Sequence, residues 1–369
     1  MHPRYQLSNP NEILSPGLLF YPAIIQQNID RLVAVAGGAE RLRPHVKTHK
    51  TREICRMQMA SGIRKFKCAT IAEAEMLGEV GAPDVMIAYQ LIGPNVSRLA
   101  ALIWRFPDTR FSCIVDHPDA ARPLSEAMAK AGLTVGVFID LDVGMHRTGI
   151  AVGDAAVQLY ELLGALPGIS PAGIHAYDGH NRHTNLTERR AGLLEVMDQV
   201  LQFRESAGKK GLPVPSIVAG GTPTHTLWLE HPGVDVSPGT IFLYDAAYAE
   251  IAPDLEYEWA ALVLGRVISK PLAHRVTLDI GSKGISPDLP GERGVALNLK
   301  GAKLGPQSEE HWVVDMPESS EASVGDVVYI VPKHVCPTVN LYPFANIIDE
   351  TGHCVDRWEI RARTRVITI

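Results

Sequence analysis

Residues Lys65–Gln90 read KFKCATIAEAEMLGEVGAPDVMIAYQ, and the punctuation of this stretch decides the fold. Lys65–Ala69 is a short strand candidate. Thr70 then stands at a helix N-cap position, Ile71–Gly81 has helical spacing, and Gly81 supplies the closing glycine. Val85–Tyr89 is a second short apolar run. Strand, helix and strand in that order, with short connections, make a βαβ unit, whose strands run parallel.

The same alternation extends on both sides. Leu18–Tyr21, Arg43–Lys47, Phe111–Val115, Val135–Asp140, Gly173–Tyr177 and Ile217–Ala219 are further strand candidates, with helical spacing over Ala23–Gly37, Pro118–Gly132 and Ala155–Leu166. About eight units in roughly 230 residues predict an α/β fold, a closed (β/α)8 barrel of the TIM type. A doubly wound open sheet carries the same local signature. Near Asp254 the character changes: WAALVLGRVISKP, HRVTLDIG, GVALNL, HWVVDM, DVVYIVP and DRWEIRARTRVITI follow with no long helix between them. These runs predict a second, mainly antiparallel β domain. The expected organisation is a barrel over residues 15–254 and a β domain over 255–369, joined by residues 1–14.

The chain has 369 residues, 46% hydrophobic and 21% charged, which describes an ordinary globular protein with a substantial core. A formal net charge of −6 argues against nucleic acid or an anionic membrane as partner. No stretch approaches the roughly 20 apolar residues of a membrane span. The opening MHPRYQLSNPNEILSPG lacks the apolar core of a signal peptide, so a cytoplasmic location is expected, with Cys55, Cys68, Cys113, Cys336 and Cys354 as thiols.

Four clusters could carry chemistry. RLRPHVKTHK (Arg41–Lys50), read as a strand, puts Arg43, His45, Lys47 and His49 on one face. A lysine at the C-terminal end of a barrel strand is placed for Schiff-base chemistry if its pKa is lowered; an exposed basic turn explains the run as simply. In LDVGMHRTGI, Gly144 breaks a strand and Arg147 follows, a permanent cation that can face an anionic oxygen or pair with a nearby Asp. IVAGGTPTH and VSPGTIFLYD place Gly220, Gly221 and Thr222, then Gly239 and Thr240, after apolar runs, where backbone N–H groups and hydroxyls can cradle a phosphate. No GxGxxG or GxxxxGK[ST] occurs, which counts against dinucleotides and Walker-type nucleotide binding. In VPKHVCPTVNLY, His334 and Cys336 would share one face of a strand, and imidazole with thiolate favours zinc; an isolated buried cysteine is the plainer reading.

Together with KFKCATIAEAE, AYQLIGPN, GIHAYDGH and SPGTIFLYDAAYA, these segments resemble, in order and spacing, the D-threonine aldolase family and its D-serine dehydratase-like relatives. The resemblance runs from about Ser15 to the C-terminus. It implies a PLP-binding barrel of the alanine racemase type, a C-terminal β domain and a homodimer. Lys47 is then the residue that forms the Schiff base with pyridoxal 5'-phosphate. Arg147 stands near the phenolic oxygen and Tyr177 near the pyridine ring. Gly220, Gly221, Thr222, Gly239, Thr240 and Tyr244 form the phosphate cradle, and Gln90 and His175 are pocket residues. His334 and Cys336 bind a divalent metal, zinc or manganese, with magnesium and cobalt as further options. The implied substrate is a β-hydroxy-D-amino acid, cleaved to glycine and an aldehyde. The metal pair departs from the aldolases, which commonly show H-x-D where the dehydratase relatives show H-x-C. Dehydration of D-serine or 3-hydroxy-D-aspartate to a 2-oxo acid and ammonia is therefore the alternative. A PLP-binding protein without robust turnover is a third reading, against which the metal pair argues.

Overall fold

The computed structural model describes residues 1–318 and 322–369. The chain forms two compact units, one of Leu32–Lys47, Ile54–Gly239 and Thr364–Ile369, the other of Met1–Arg31, Thr48–Glu53 and Thr240–Arg363.

In the first unit, seven strands are laid side by side: Lys65–Cys68, Asp84–Gln90, Arg110–Val115, Val135–Asp142, Ile169–Ala176, Ile217–Ala219 and Val234–Val236. Every neighbouring pair is parallel. The two edges meet through the Arg43–Val46 stretch. Leu42 bridges Val236 and His45 bridges Lys67, both in parallel sense. The Arg43 N–H donates to the Val236 carbonyl at 2.9 Å, and the Lys67 N–H to the Pro44 carbonyl at 2.8 Å. The ring therefore closes, which removes the open-sheet alternative. The eighth position is too irregular to run as a strand, since Pro44 has no N–H to give to the ladder. Strand membership differs from expectation at one place. Gly17–Phe20 belongs to the other unit, and Val234–Val236, not foreseen, takes its place in the barrel.

Helices between the strands follow local rules. Thr70 caps Ile71–Glu79 by accepting from the Glu73 N–H at 3.1 Å, and the Glu73 carboxylate reaches back to the Ala69 N–H at 2.6 Å. Gly81 then leaves the helix at φ +74°, which only glycine adopts without strain. Inside the barrel Met86, Ile114, Phe138 and Val218 pack together. The closure seam is ionic. Arg43, 3% exposed, bonds Asp84 at 2.6 Å and approaches Asp235 at 3.5 Å, while Lys65 holds Asp235 at 2.8 Å. Burial alone would raise the Asp84 pKa, but the charges and hydrogen bonds of Arg43 and Arg110 hold it below the ordinary carboxylate value.

The second unit carries a nine-stranded sheet. Gly17–Phe20 pairs antiparallel with Ala261–Leu272 and parallel with Phe344–Ile348; the remaining pairings are antiparallel. All five cysteines are free thiols, three of them buried. Among the described residues, no helix is long and apolar enough to cross a membrane.

Candidate active site

In the barrel unit, three cations surround one phenol ring. The Lys47 Nζ lies 5.9 Å from the Tyr177 ring centroid, the Lys67 Nζ 5.7 Å, and the Arg147 guanidinium carbon 5.3 Å. Lys47 ends the chain segment that closes the ring, Lys67 comes from the strand beside it, and Tyr177 follows the strand Ile169–Ala176. Glycines fix the tyrosine. A Cβ on Gly179 would sit 2.3 Å from Tyr177 Cε1, and one on Gly221 would sit 3.1 Å from Cε2. A methyl group on Gly179 would force the ring to move, and one on Gly221 would crowd it by a few tenths of an ångström.

Arg147 and Tyr177 also line a cavity with Asp140, Asp142, Met145 and His175. Asp140 and His175 face each other in register on adjacent strands, and His175 Nδ1 donates to Asp140 Oδ1 at 2.6 Å. Burial lowers the His175 pKa, with Lys67 and Arg147 adding to the effect and Asp140 opposing it. A neutral ring whose Nδ1 carries the proton leaves Nε2 as an acceptor.

Of the expected phosphate cradle, Gly220, Gly221, Thr222 and Gly239 lie in the barrel unit. Gly220 turns at φ +77°, and a Cβ there would meet the Trp228 indole at 2.8 Å. The Gly239 N–H lies 3.4 Å from Thr222 Oγ1, so these two loops do meet. Behind them the buried Asp178 accepts from Thr224 Oγ1 at 3.0 Å and from Trp228 Nε1 at 2.8 Å. Thr240 and Tyr244 belong to the β unit. Tyr244, 1% exposed, turns its hydroxyl to the Ala252 and Leu255 carbonyls and packs against Tyr257, as a core residue does. Gln90 accepts from the Asp116 N–H at 2.8 Å, which ties down the end of the next strand.

The expected basic face of RLRPHVKTHK does not form. Arg43 is taken by the ionic seam, His45 Nδ1 accepts from the Lys47 N–H at 3.3 Å, and His49 is buried in the β unit, edge-on to Phe242.

His334 and Cys336 are not on a strand. His334 is the N-cap of the short helix Val335–Asn340, and Cys336 lies in its first turn. They still interact. Burial would lower the His334 pKa, but the hydrogen bond and charge of Cys336, with those of Asp288, push it up to about 9. The thiol is moved the opposite way: burial would raise it, and His334 holds it down. Thr48 Oγ1 lies 3.1 Å and Thr240 Oγ1 3.6 Å from the Cys336 sulfur. Asp288 takes the far side of the imidazole, with Nδ1 to Oδ2 at 2.6 Å. Among the described residues no three His, Cys, Asp or Glu side chains gather into a metal-binding set. A metal here would have only the imidazole and the thiolate as protein ligands, leaving an open shell.

Two residues escaped the sequence reading. Lys67 was visible as a lysine in a buried strand, on the same face as Lys65. Asp288 stands 46 residues before His334, and only the fold brings it there.

The donor set suits a phosphorylated aldehyde: a lysine amine to hold the carbonyl carbon, further cations for anionic oxygens, and a glycine turn that no side chain can enter. Comparison with known proteins agrees. Residues 22–246 match the family model of the alanine racemase N-terminal domain, and residues 260–348 that of a serine dehydratase domain. The chain is 30% identical to a D-threonine aldolase of Arthrobacter sp over 95% of this chain and 92% of that one. It is 29% identical to a 3-hydroxy-D-aspartate aldolase of Paracoccus denitrificans strain Pd 1222, covering 96% and 93%. The crystal structure of D-threonine aldolase from Filomicrobium marinum superposes with a TM-score of 0.90 at 28% identity, over 96% of this chain and 97% of that one.

Proposed function

The chain belongs to the D-threonine aldolase family of PLP-dependent lyases, and we propose that it cleaves β-hydroxy-D-amino acids between Cα and Cβ to glycine and an aldehyde. The observation that carries the chemistry is the cluster of Lys47, Lys67 and Arg147 around Tyr177. The choice of aldolase chemistry is supported by two relatives of 30% and 29% identity, matched over nearly their whole length, that are aldolases.

PLP, when bound, supplies an electron sink that weakens the bonds to the substrate's Cα. The residues of this chain do the rest. Lys47 offers the amine that holds the cofactor's carbonyl carbon. Arg147 keeps a permanent positive charge in the lining of the cavity, suited to an anionic oxygen. Tyr177, wedged by Gly179 and Gly221, gives a flat wall against which an aromatic ring can stack. The turn at Gly220–Thr222, closed against Gly239, leaves room for a phosphate beside the Thr222 hydroxyl, which would donate to it. His175, neutral and oriented by Asp140, is an acceptor in the same cavity. His334 and Cys336 would hold a divalent metal, zinc or manganese, which would supply a Lewis acid for the substrate's β-hydroxyl.

A second reading rests on Cys336 and on the match of residues 260–348 to the serine dehydratase domain. In it, Lys47 removes the Cα proton and the β-hydroxyl leaves, giving a 2-oxo acid and ammonia. One substrate separates the two. Purified protein with PLP, a divalent metal and D-threonine should release glycine and acetaldehyde. Release of 2-oxobutanoate and ammonia instead would replace the aldolase reading with the dehydratase one.

A further inference from the structure

Lys67 is 3% exposed, yet among the described residues its Nζ makes no hydrogen bond and no ion pair; its contact is the face of the Tyr177 ring. An ammonium group carries three donors, and burying it without a partner is among the costlier arrangements in a protein. The neighbouring carboxylates are otherwise engaged. Asp140 is bonded to His175, Asp178 to Thr224 and Trp228, and Asp84 and Asp235 lie in the seam with Arg43. Lys47 and Arg147, on the same ring, add positive charge.

We propose that Lys67 is a ligand-binding residue whose Nζ donates to an anionic oxygen of the molecule bound in the barrel, either the cofactor or the amino acid substrate. The inference deepens the proposed function and rests on it. The position supports it: Lys67 stands on the strand next to the segment that carries Lys47, so the two amines share the Tyr177 ring. The electrostatics agree. Burial, then the charge of Lys47, and more weakly that of Arg43, push the Lys67 ammonium down to about 7, against the pull of Asp140 and Asp178. An amine in that condition regains its charge when an anion arrives beside it.

The test compares wild type with K67M and K67R, first by titrating the apo-protein with PLP, then by titrating the loaded protein with D-threonine, both followed by absorbance. K67M should weaken one of the two at least tenfold, and K67R, which keeps the charge, should lose less. Weaker PLP binding assigns the oxygen to the cofactor; unchanged PLP binding with weaker D-threonine binding assigns it to the substrate. Thermal unfolding of apo-K67M adds a readout that a structural lysine would not give: the midpoint should be equal to wild type or higher, because an unpartnered buried amine is gone. K67Q takes the place of K67M if that variant does not fold. Both affinities within twofold of wild type in a folded variant would overturn the role of Lys67. A wild-type protein that takes up no PLP would instead sink the proposed function itself.

Discussion

His334 Nδ1 donates to Asp288 Oδ2 at 2.6 Å, and this bond makes Nε2 the nitrogen that a metal would take. Asp288 is itself held, accepting from Ser286 Oγ at 2.7 Å. A carboxylate on Nδ1 turns the ring and makes Nε2 the better ligand, and losing such a partner typically weakens metal binding about 10–100-fold. Asp288→Ala should therefore lose metal affinity by roughly that factor, measured by competition with a chromogenic chelator. An Asp288→Ala protein that holds its metal as tightly as wild type would remove Asp288 from the site.

Lys47→Ala should abolish the absorbance band of covalently held PLP while leaving the fold intact, since the Lys47 Nζ has no protein hydrogen bond to lose among the described residues. Activity on D-threonine should fall by roughly 10³-fold or more, a positioned acid–base group alone being worth about 10²–10⁴. A surviving band with surviving activity would mean that another amine, Lys67 included, carries the cofactor.

The repeating strand–helix signal made the barrel legible because strands buried on both faces read as short apolar runs and capping is local. Thr70 and Gly81 stand where that rule puts them. Membership of the ring was less legible. Leu18–Tyr21 is as apolar as any barrel strand, and only its pairing with Ala261–Leu272 places it in the other sheet. Val234–Val236 is three residues long, too short to announce itself by pattern. The site was read in part for the same reason. Lys47, Arg147 and Tyr177 sit in distinctive segments, whereas Lys67 is one lysine in a basic strand and shows its meaning only through burial. The alternation rule also failed at His334 and Cys336, where the chain starts a helix instead of continuing the strand Val327–Pro332.

Arg43 is a residue of the seam, and its loss should be felt in stability before activity. Arg43→Met would leave Asp84 and Asp235 buried, with Arg110 and Lys65 still attached to them. Breaking one partner out of a buried ion pair costs about 3–5 kcal/mol, and the remaining cations put the expected loss near the lower end, ~3 kcal/mol. Urea unfolding measures it; a loss below about 1 kcal/mol, the range of an exposed pair, would show that the seam does not depend on Arg43.

His49 should make the protein sensitive to acid. Its Nδ1 accepts from the Thr51 N–H at 3.2 Å, its Nε2 is buried with no partner among the described residues, and Phe242 lies edge-on to the ring. Burial, and secondarily the charge of Lys50, lowers its pKa to about 3 from an ordinary 6.5. Between those two values the unfolded chain binds the proton and the folded one does not, so stability rises with pH across the window and falls on acidification. The limiting slope is about 1.4 kcal/mol per pH unit. His49→Asn keeps an acceptor for the Thr51 N–H and removes the titration, at a packing cost that does not change with pH. The stability of His49→Asn relative to wild type should therefore improve steadily from pH 6.5 to 4, by urea unfolding at matched ionic strength. Every other carboxylate and histidine titrates in both proteins and drops out of the difference. Two parallel pH profiles would mean that His49 takes up its proton in the folded state as readily as in the unfolded one.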